Sequence, residues 1–354
     1  MTRADSSIDF EPLATLVRAT FSGAPLVAEP MPSGASTRRY FRVRLPTGSA
    51  VGMFVPHGGE SEEVVHAHRP TSVWPFLEIR ELLASRGVDV PALYAEDTAR
   101  GWILLEDLGS STLARFLGAH PEERERLYTR AVSDLARAQL ALSDLPDGCV
   151  VKTRVYDEAL LRWELEHFRE WALEAQGFSV AADDRVLWDG IAQRLARQIA
   201  SWPREFVHRD FQSRNLMVRD DGRLAWLDFQ DAILGPRVYD LATLLGDSHQ
   251  VFDRAFVDAR VGDYARLRGV ASEERQRVRR EFDIITVHRK LKGAGRFAFL
   301  DRVKQNPTFL EFVGPSLSKA RASLARLGDD SDMRALDAFL ARVAPALASA
   351  PRAV

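Results

Sequence analysis

The chain has 354 residues, 46% of them hydrophobic, and its 48 basic and 50 acidic side chains leave a net charge of −2. The length accommodates two lobes with a cleft between them, and the apolar fraction supports a large core and argues against disorder. The charge balance excludes a protein whose main task is to coat nucleic acid, while leaving room for a local basic pocket for phosphates.

The single cysteine, Cys149, rules out an intramolecular disulfide, so a reducing compartment is the simplest expectation. The opening stretch MTRADSSIDFEPLATLVRATF carries Asp5, Asp9 and Glu11 and lacks the apolar run of a signal peptide. No uncharged stretch reaches membrane-spanning length. A cytoplasmic protein without a membrane partner is expected, and a monomer is the default expectation.

Residues 9–22 have the spacing of an amphipathic helix. Strand patterns follow over Arg38–Leu45 and Ser49–Val55, joined by a turn at Pro46-Thr47-Gly48. The polar stretch HGGESEEVVHAHRPTS reads as a loop; its His66 and His68 lack a third partner for a metal. Helical spacing at Phe76, Ile79, Leu82 and Leu83 stops at Gly87. GWILLEDLG is a short apolar strand ending in acids and a glycine. After Gly109 the pattern turns helical: Pro121–Ser143, Tyr156–Gln176 and Asp183–Ala200. Two short strands, Asn215–Arg219 and Leu224–Asp228, interrupt this half around an Asp-Asp-Gly turn. From Val238 onward the chain reads helical, and the charged run EERQRVRREFD fits a solvated helix face. The expected architecture is α+β and bilobal, with a small antiparallel-sheet lobe over 1–108 and a larger helical lobe over 109–354.

The hairpin around Asp-Asp-Gly gathers chemistry. Asp210 and Asn215 precede its first strand and Asp228 ends its second. Eighteen positions of sequence (228 minus 210) therefore fold back to neighbours in space. Two carboxylates and an amide oxygen at one edge suit a hard cation such as Mg2+ shared with phosphates. The run His208-Arg209-Asp210-Phe-Gln-Ser-Arg-Asn215 matches the kinase catalytic-loop pattern H-R-D-x-x-x-x-N, and Asp228-Phe229-Gln230 stands where D-F-G would stand. Asp210 is read as the catalytic base, His208 as its loop support, and Asn215 and Asp228 as magnesium ligands.

No A-P-E and no long segment follow Asp228; GPRVYDLATLL comes at once. In this the chain resembles the aminoglycoside-phosphotransferase-like kinases, which act on small molecules. In that family the acid matching Asp240 anchors the catalytic loop from a helix start. GASTRRYFRV (34–43), LLEDLG (104–109), HRDFQSRNLM, LDFQDAILGPRVYDL and RKLKGAGRFA (289–298) occur in that order. Together they resemble the anomeric sugar kinases of bacterial cell-wall recycling. The resemblance implies ATP- and Mg2+-dependent phosphorylation of the C1 hydroxyl of N-acetylmuramate or N-acetylglucosamine. Aminoglycoside or other small-alcohol kinases are the same-class alternative, and a nucleotide-binding pseudokinase is the other.

On the nucleotide side, Gly34, Ser36 and Thr37 lie in a small-residue turn that lets backbone N–H groups approach phosphates. Related kinases carry a lysine on the following strand; here Ala50–Val55 has none. Arg38, Arg39 or Arg42 is expected to replace its charge. Glu78, the helix acid that would pair with that lysine, is left to an arginine or to solvent. Glu106 and Leu108 sit where an adenine-binding hinge would lie. For the acceptor, Glu164, Glu166, His167 and Trp171 on RWELEHFREW, with Arg289 and Lys292, offer polar groups and an aromatic face, although Trp163 and Trp171 at helical spacing also fit a core role.

Overall fold

A computed structural model describes residues 8–32, 37–56, 74–247 and 250–345. Helix α1 (Glu11–Thr20) precedes β1 (Ala28–Pro30), β2 (Arg39–Arg44) and β3 (Ser49–Phe54); α2 (Pro75–Ser85) precedes β4 (Leu93–Asp97) and β5 (Trp102–Glu106). The strands form one antiparallel sheet in the order β1-β2-β3-β5-β4. Alternation along the strands loads its two faces differently. Phe41, Val43, Ala50, Trp102 and Leu104 pack with Leu13 and Val17 of α1 in a small separate core. Met53, Ile103 and Leu105 face the other way, onto Ile79 and Leu83 of α2 and into the main core. Gly52 is required where α1 crosses, because an added Cβ would lie 2.9 Å from the Leu13 side chain.

The larger lobe is helical. It contains α3 (Leu113–Ala119), α4 (Arg124–Ala141), α5 (Glu158–His167) and α6 (Ala182–Ala200), then α7 (Tyr239–Leu245), α8 (Arg254–Leu267), α9 (Arg275–Arg302), α10 (Val313–Arg326) and α11 (Ser331–Val343). Between α6 and α7 the chain forms β6 (Arg204–Val207), the hairpin β7 (Leu216–Val218) and β8 (Leu224–Trp226), and β9 (Ile233–Pro236). β6 pairs with β9, and β7 with β8. Among the described residues no helix is long and apolar enough to cross a membrane.

Most expected elements form within two or three residues of their sequence bounds, but two readings need correction. Tyr156–Gln176 is not one helix: α5 passes into a π-helical turn, Phe168–Leu173, and ends at Gly177 with φ 86°. The cause is a close crossing. A Cβ on Gly295 of α9 would lie 2.7 Å from the His167 carbonyl, so the widened turn accommodates the backbone of α9. β1, β4, β6 and β9 were absent from the sequence reading; each is only three to five residues long, too short for a period to show, and β6 is held by β9 some 26 to 32 residues away.

Candidate active site

The loop after β6 carries His208 to Asn215, and two non-glycine residues in the candidate site hold positive φ: Arg209 at 78° and Asp228 at 61°. Such backbone costs of order 1–3 kcal/mol each and persists where its surroundings over-determine it. Here they do. The Asp240 carboxylate accepts the backbone N–H of His208 at 2.6 Å and of Arg209 at 3.0 Å. Asp247 accepts the backbone N–H of Ser213 at 2.9 Å and also its hydroxyl. The Asn215 amide donates to the Asp210 carbonyl at 2.8 Å, and Arg289 donates to the Arg209 carbonyl at 3.0 Å. The Arg209 side chain donates to the Tyr156 hydroxyl at 3.1 Å, which donates to Tyr239 at 2.6 Å.

Burial sets the charge states beneath this loop. His208 is fully buried and its pKa falls to about 4, so it is neutral and packs edge-on against Phe211 and Trp226. Burial drives the Asp240 carboxyl up to about 7 against the opposing pull of its two amide donors. The Asp210 carboxylate has no hydrogen bond or ion pair among the described residues, and it faces a cavity. A carboxylate held by its backbone with its oxygens available is suited to accept a proton from a bound hydroxyl.

Asp228 sits across from it. Desolvation, and next the charge of Asp210, push its carboxyl above the usual range. The Gln230 amide donates to it at 2.9 Å, and an Arg38 guanidinium nitrogen lies 3.4 Å away. The Leu227 N–H donates to the Asn215 carbonyl at 2.8 Å, which brings the two hairpin ends together. Phe229 stacks on Phe76 of α2 with ring centroids 5.1 Å apart, coupling Asp228 to the small lobe. Two repelling carboxylates beside an amide oxygen form a hard donor set. Among the described residues no group of three or more His, Cys, Asp or Glu side chains could hold a metal. The Asp228 carboxylate and the Asn215 amide oxygen are hard donors that fit a cation such as magnesium, which keeps water and takes ligands from phosphate.

On the nucleotide side, Gly34 and Ser36 lie outside the described residues, as do His66 and His68; Thr37 is exposed. Of the three arginines weighed on β2 and its approach, only Arg38 reaches the Asp228 carboxylate. Arg39 makes only long contacts to the carbonyls of Thr37 and Arg38, and Arg42 is engaged by Asp107 at 2.7 Å. Half-buried Glu78 has no arginine partner among the described residues; it accepts the Val150 N–H at 2.6 Å, joining α2 to the large lobe. The Glu106 carboxylate takes a two-pronged bond from Arg219 and the Ala92 N–H, so its side chain is engaged within the protein, and Leu108 beyond it is half-buried.

The cavity beside Asp210 has a volume of about 160 Å³. Arg289, Lys292 and Arg296 line it from α9, spaced three and four residues apart on one helix face, and Arg214 lines it from the catalytic loop. Phe297, Phe309 and Phe312 complete the wall. The structure thus joins Arg289 and Lys292 to Asp210, as the sequence reading expected. It does not bring Glu164 or Trp171 into the lining. Glu164 is fully buried beneath it, 3.5 Å from Lys292 and 3.7 Å from His288, and Trp171 packs edge-on against Phe299. Glu166 is engaged by Arg162 and Arg169. The Glu164 placement follows from helix phase: α5 presents Glu164 inward, where a charged partner on α9 makes burial tolerable.

The sequence reading missed Asp247, Arg214 and Arg296. A signal existed for each. Asp247 is the acid just past the end of the helix whose first turn holds Asp240; Arg214 is the second arginine inside the catalytic motif, beside Asn215; Arg296 repeats the phase of Arg289 and Lys292.

Residues 27–280 match the phosphotransferase enzyme family. The chain is 32% identical over 309 residues to an N-acetylmuramate/N-acetylglucosamine kinase from Pseudomonas putida, covering 84% of this chain and 85% of that one. It is 32% identical over 322 residues to the N-acetylmuramate/N-acetylglucosamine kinase of Pseudomonas aeruginosa, covering 90% and 89%. The ADP-bound aminoglycoside phosphotransferase APH(2'')-Ib shares the fold, with a TM-score of 0.57 at 15% identity over 89% of this chain and 99% of that one.

Proposed function

The chain belongs to the phosphotransferase enzyme family, and from that premise we propose that it is an ATP- and Mg2+-dependent sugar kinase acting on the anomeric C1 hydroxyl of an N-acetylated amino sugar, N-acetylmuramate or N-acetylglucosamine. The names of the two Pseudomonas relatives support the acceptor. The observation that carries the reading is the charge of the cavity facing Asp210: four cationic side chains against one carboxylate. A polycationic aminoglycoside or a quaternary ammonium such as choline would meet like charge there, whereas a neutral or acidic sugar would not.

In this reading Asp210 orients the acceptor hydroxyl and accepts its proton. An anomeric hydroxyl is more acidic than an ordinary alcohol, so the proton transfers late and positioning contributes most of the rate. Asn215 and Asp228 hold magnesium, which supplies charge neutralisation at the phosphates when bound. Arg38 takes the place of the missing strand lysine. His208, neutral and buried, supports the loop from below. The small lobe closes at residue 108, the large lobe begins at 109, and the enzyme works in the cytoplasm.

The test is ADP release with magnesium-ATP across N-acetylmuramate, N-acetylglucosamine, glucosamine, glucose, kanamycin and choline. The expected result is turnover on an N-acetylated sugar with a C1 phosphate by phosphorus NMR, lowered about a thousandfold in Asp210→Asn. Turnover confined to kanamycin or choline would replace the acceptor. Silence across the panel with tight ATP binding would favour a pseudokinase, the reading to which the missing lysine points.

A further inference from the structure

Three of the four cations that line the acceptor cavity are held by the protein itself. Arg289 donates to the Arg209 carbonyl and lies 4.5 Å from the centroid of the Tyr239 ring. Lys292 approaches buried Glu164 at 3.5 Å. Arg296 lies over the Phe299 ring at 5.1 Å. Arg214 differs. It is exposed, and it has no hydrogen bond, ion pair or ring contact among the described residues.

Its backbone, by contrast, is fixed on both sides. Ser213 is held by Asp247 through its N–H and hydroxyl, and Asn215 is held by its bond to the Asp210 carbonyl and by the Leu227 N–H. The side chain therefore starts from a rigid point four residues from Asp210. The other wall is apolar: Phe297 stacks on Phe309 at 5.9 Å with the rings within 7° of parallel, and Phe312 closes the group at 5.8 Å. A guanidinium with its donors available, lining the same cavity as three phenylalanine rings, matches a carboxylate attached to an apolar arm, because a planar fork binds a carboxylate through two parallel hydrogen bonds.

We infer that Arg214 is the residue that selects an acceptor sugar bearing a carboxylate, binding that acid while the phenylalanine wall takes the apolar part of its arm. The inference rests on the acceptor reading above and deepens it. N-acetylmuramate and N-acetylglucosamine differ by a lactyl ether, so the carboxylate is the charged group that separates them.

The experiment measures KM and kcat for both sugars with the wild type, Arg214→Ala and Arg214→Lys at saturating magnesium-ATP, and then KM for ATP. Arg214→Ala is expected to raise the ratio of KM for the acidic sugar over the neutral one by about tenfold, the loss of one charge-assisted contact. Arg214→Lys should recover part of it, since lysine keeps the charge but not the fork. The acid preference of the wild type should shrink as salt is raised. An equal rise for both sugars, or a rise in KM for ATP that shows Arg214 serving the nucleotide phosphates, would overturn the inference alone. Absence of wild-type turnover on either sugar would overturn the acceptor reading and this inference with it.

Discussion

The two edges of the catalytic hairpin are built differently. The acceptor edge, His208 to Asn215, is pinned by Asp240, Asp247, Arg289 and the Asn215 amide, most of them bonding backbone groups of the loop. The nucleotide edge has less beneath it. Asp228 is met by the Gln230 amide and by Arg38 at 3.4 Å, and its own side chain stays 43% exposed. The difference teaches how the charge problem is divided. In the proposed mechanism Asp210, which accepts a proton, must be in place before substrate arrives, and the fold fixes its loop. In the same reading Arg38 and Asp228, which meet phosphate and a cation, are completed by their ligands, and the fold leaves Asp228 open.

The comparison breaks most sharply at Asp240. Asp240→Ala leaves two buried amides without acceptors and releases the left-handed backbone at Arg209. A stability loss of about 4 kcal/mol is expected by urea unfolding, with kcat falling more than KM changes. A retained kcat would mean that Asp247 and Arg289 hold the loop unaided.

Next in size is His208. Its folded pKa, about 4, lies below the ordinary 6.5, so the unfolded chain binds more protons between those values. The stability contributed by neutral, buried His208 is present above pH 6.5 and is lost as pH falls toward 4, by about 3 kcal/mol. Urea midpoints measured from pH 7.5 to 4.5 should fall faster for the wild type than for His208→Gln. Because Asp240 titrates upward in the same window with the opposite sign, the difference between the two proteins is the quantity to read. Parallel curves would show that the ring is not held neutral.

The smallest effect belongs to the open edge. Arg38→Ala should lower kcat/KM for ATP about thirtyfold while leaving the unfolding midpoint nearly fixed, whereas Arg39→Ala, which reaches only carbonyls at 3.5 Å, should change either by less than twofold. Equal losses in both would make the replacement of the strand lysine a shared charge effect.

Asp210, Asn215 and Asp228 were legible as a group because a hairpin with an Asp-Asp-Gly turn closes locally, and local closure is written in spacing. The β2–β3 pair, α2, α4 and the helical second half were legible for the same reason, through period and turn chemistry. Glu78 and Glu164 show the opposite case. Each was recognised as a noteworthy acid on a helix, and each was given the wrong surroundings. Glu78 meets Val150, 72 residues away, and Glu164 meets Lys292 and His288 on α9.

The sequence by itself determined the chemistry of this protein: an acid, an amide and a second acid in an order and spacing that phosphoryl transfer uses, on strands and helices whose periods declare themselves. Only the tertiary structure decided which surface faces that chemistry. The packing of α9 against the π-helical turn at Phe168–Leu173 buries Glu164 and sets Arg289, Lys292 and Arg296 along the cavity, while the catalytic loop adds Arg214 from the other side. Side-chain period fixes a face relative to its own helix axis. Which neighbour that face meets depends on crossings between segments more than a hundred residues apart, and no local pattern records them.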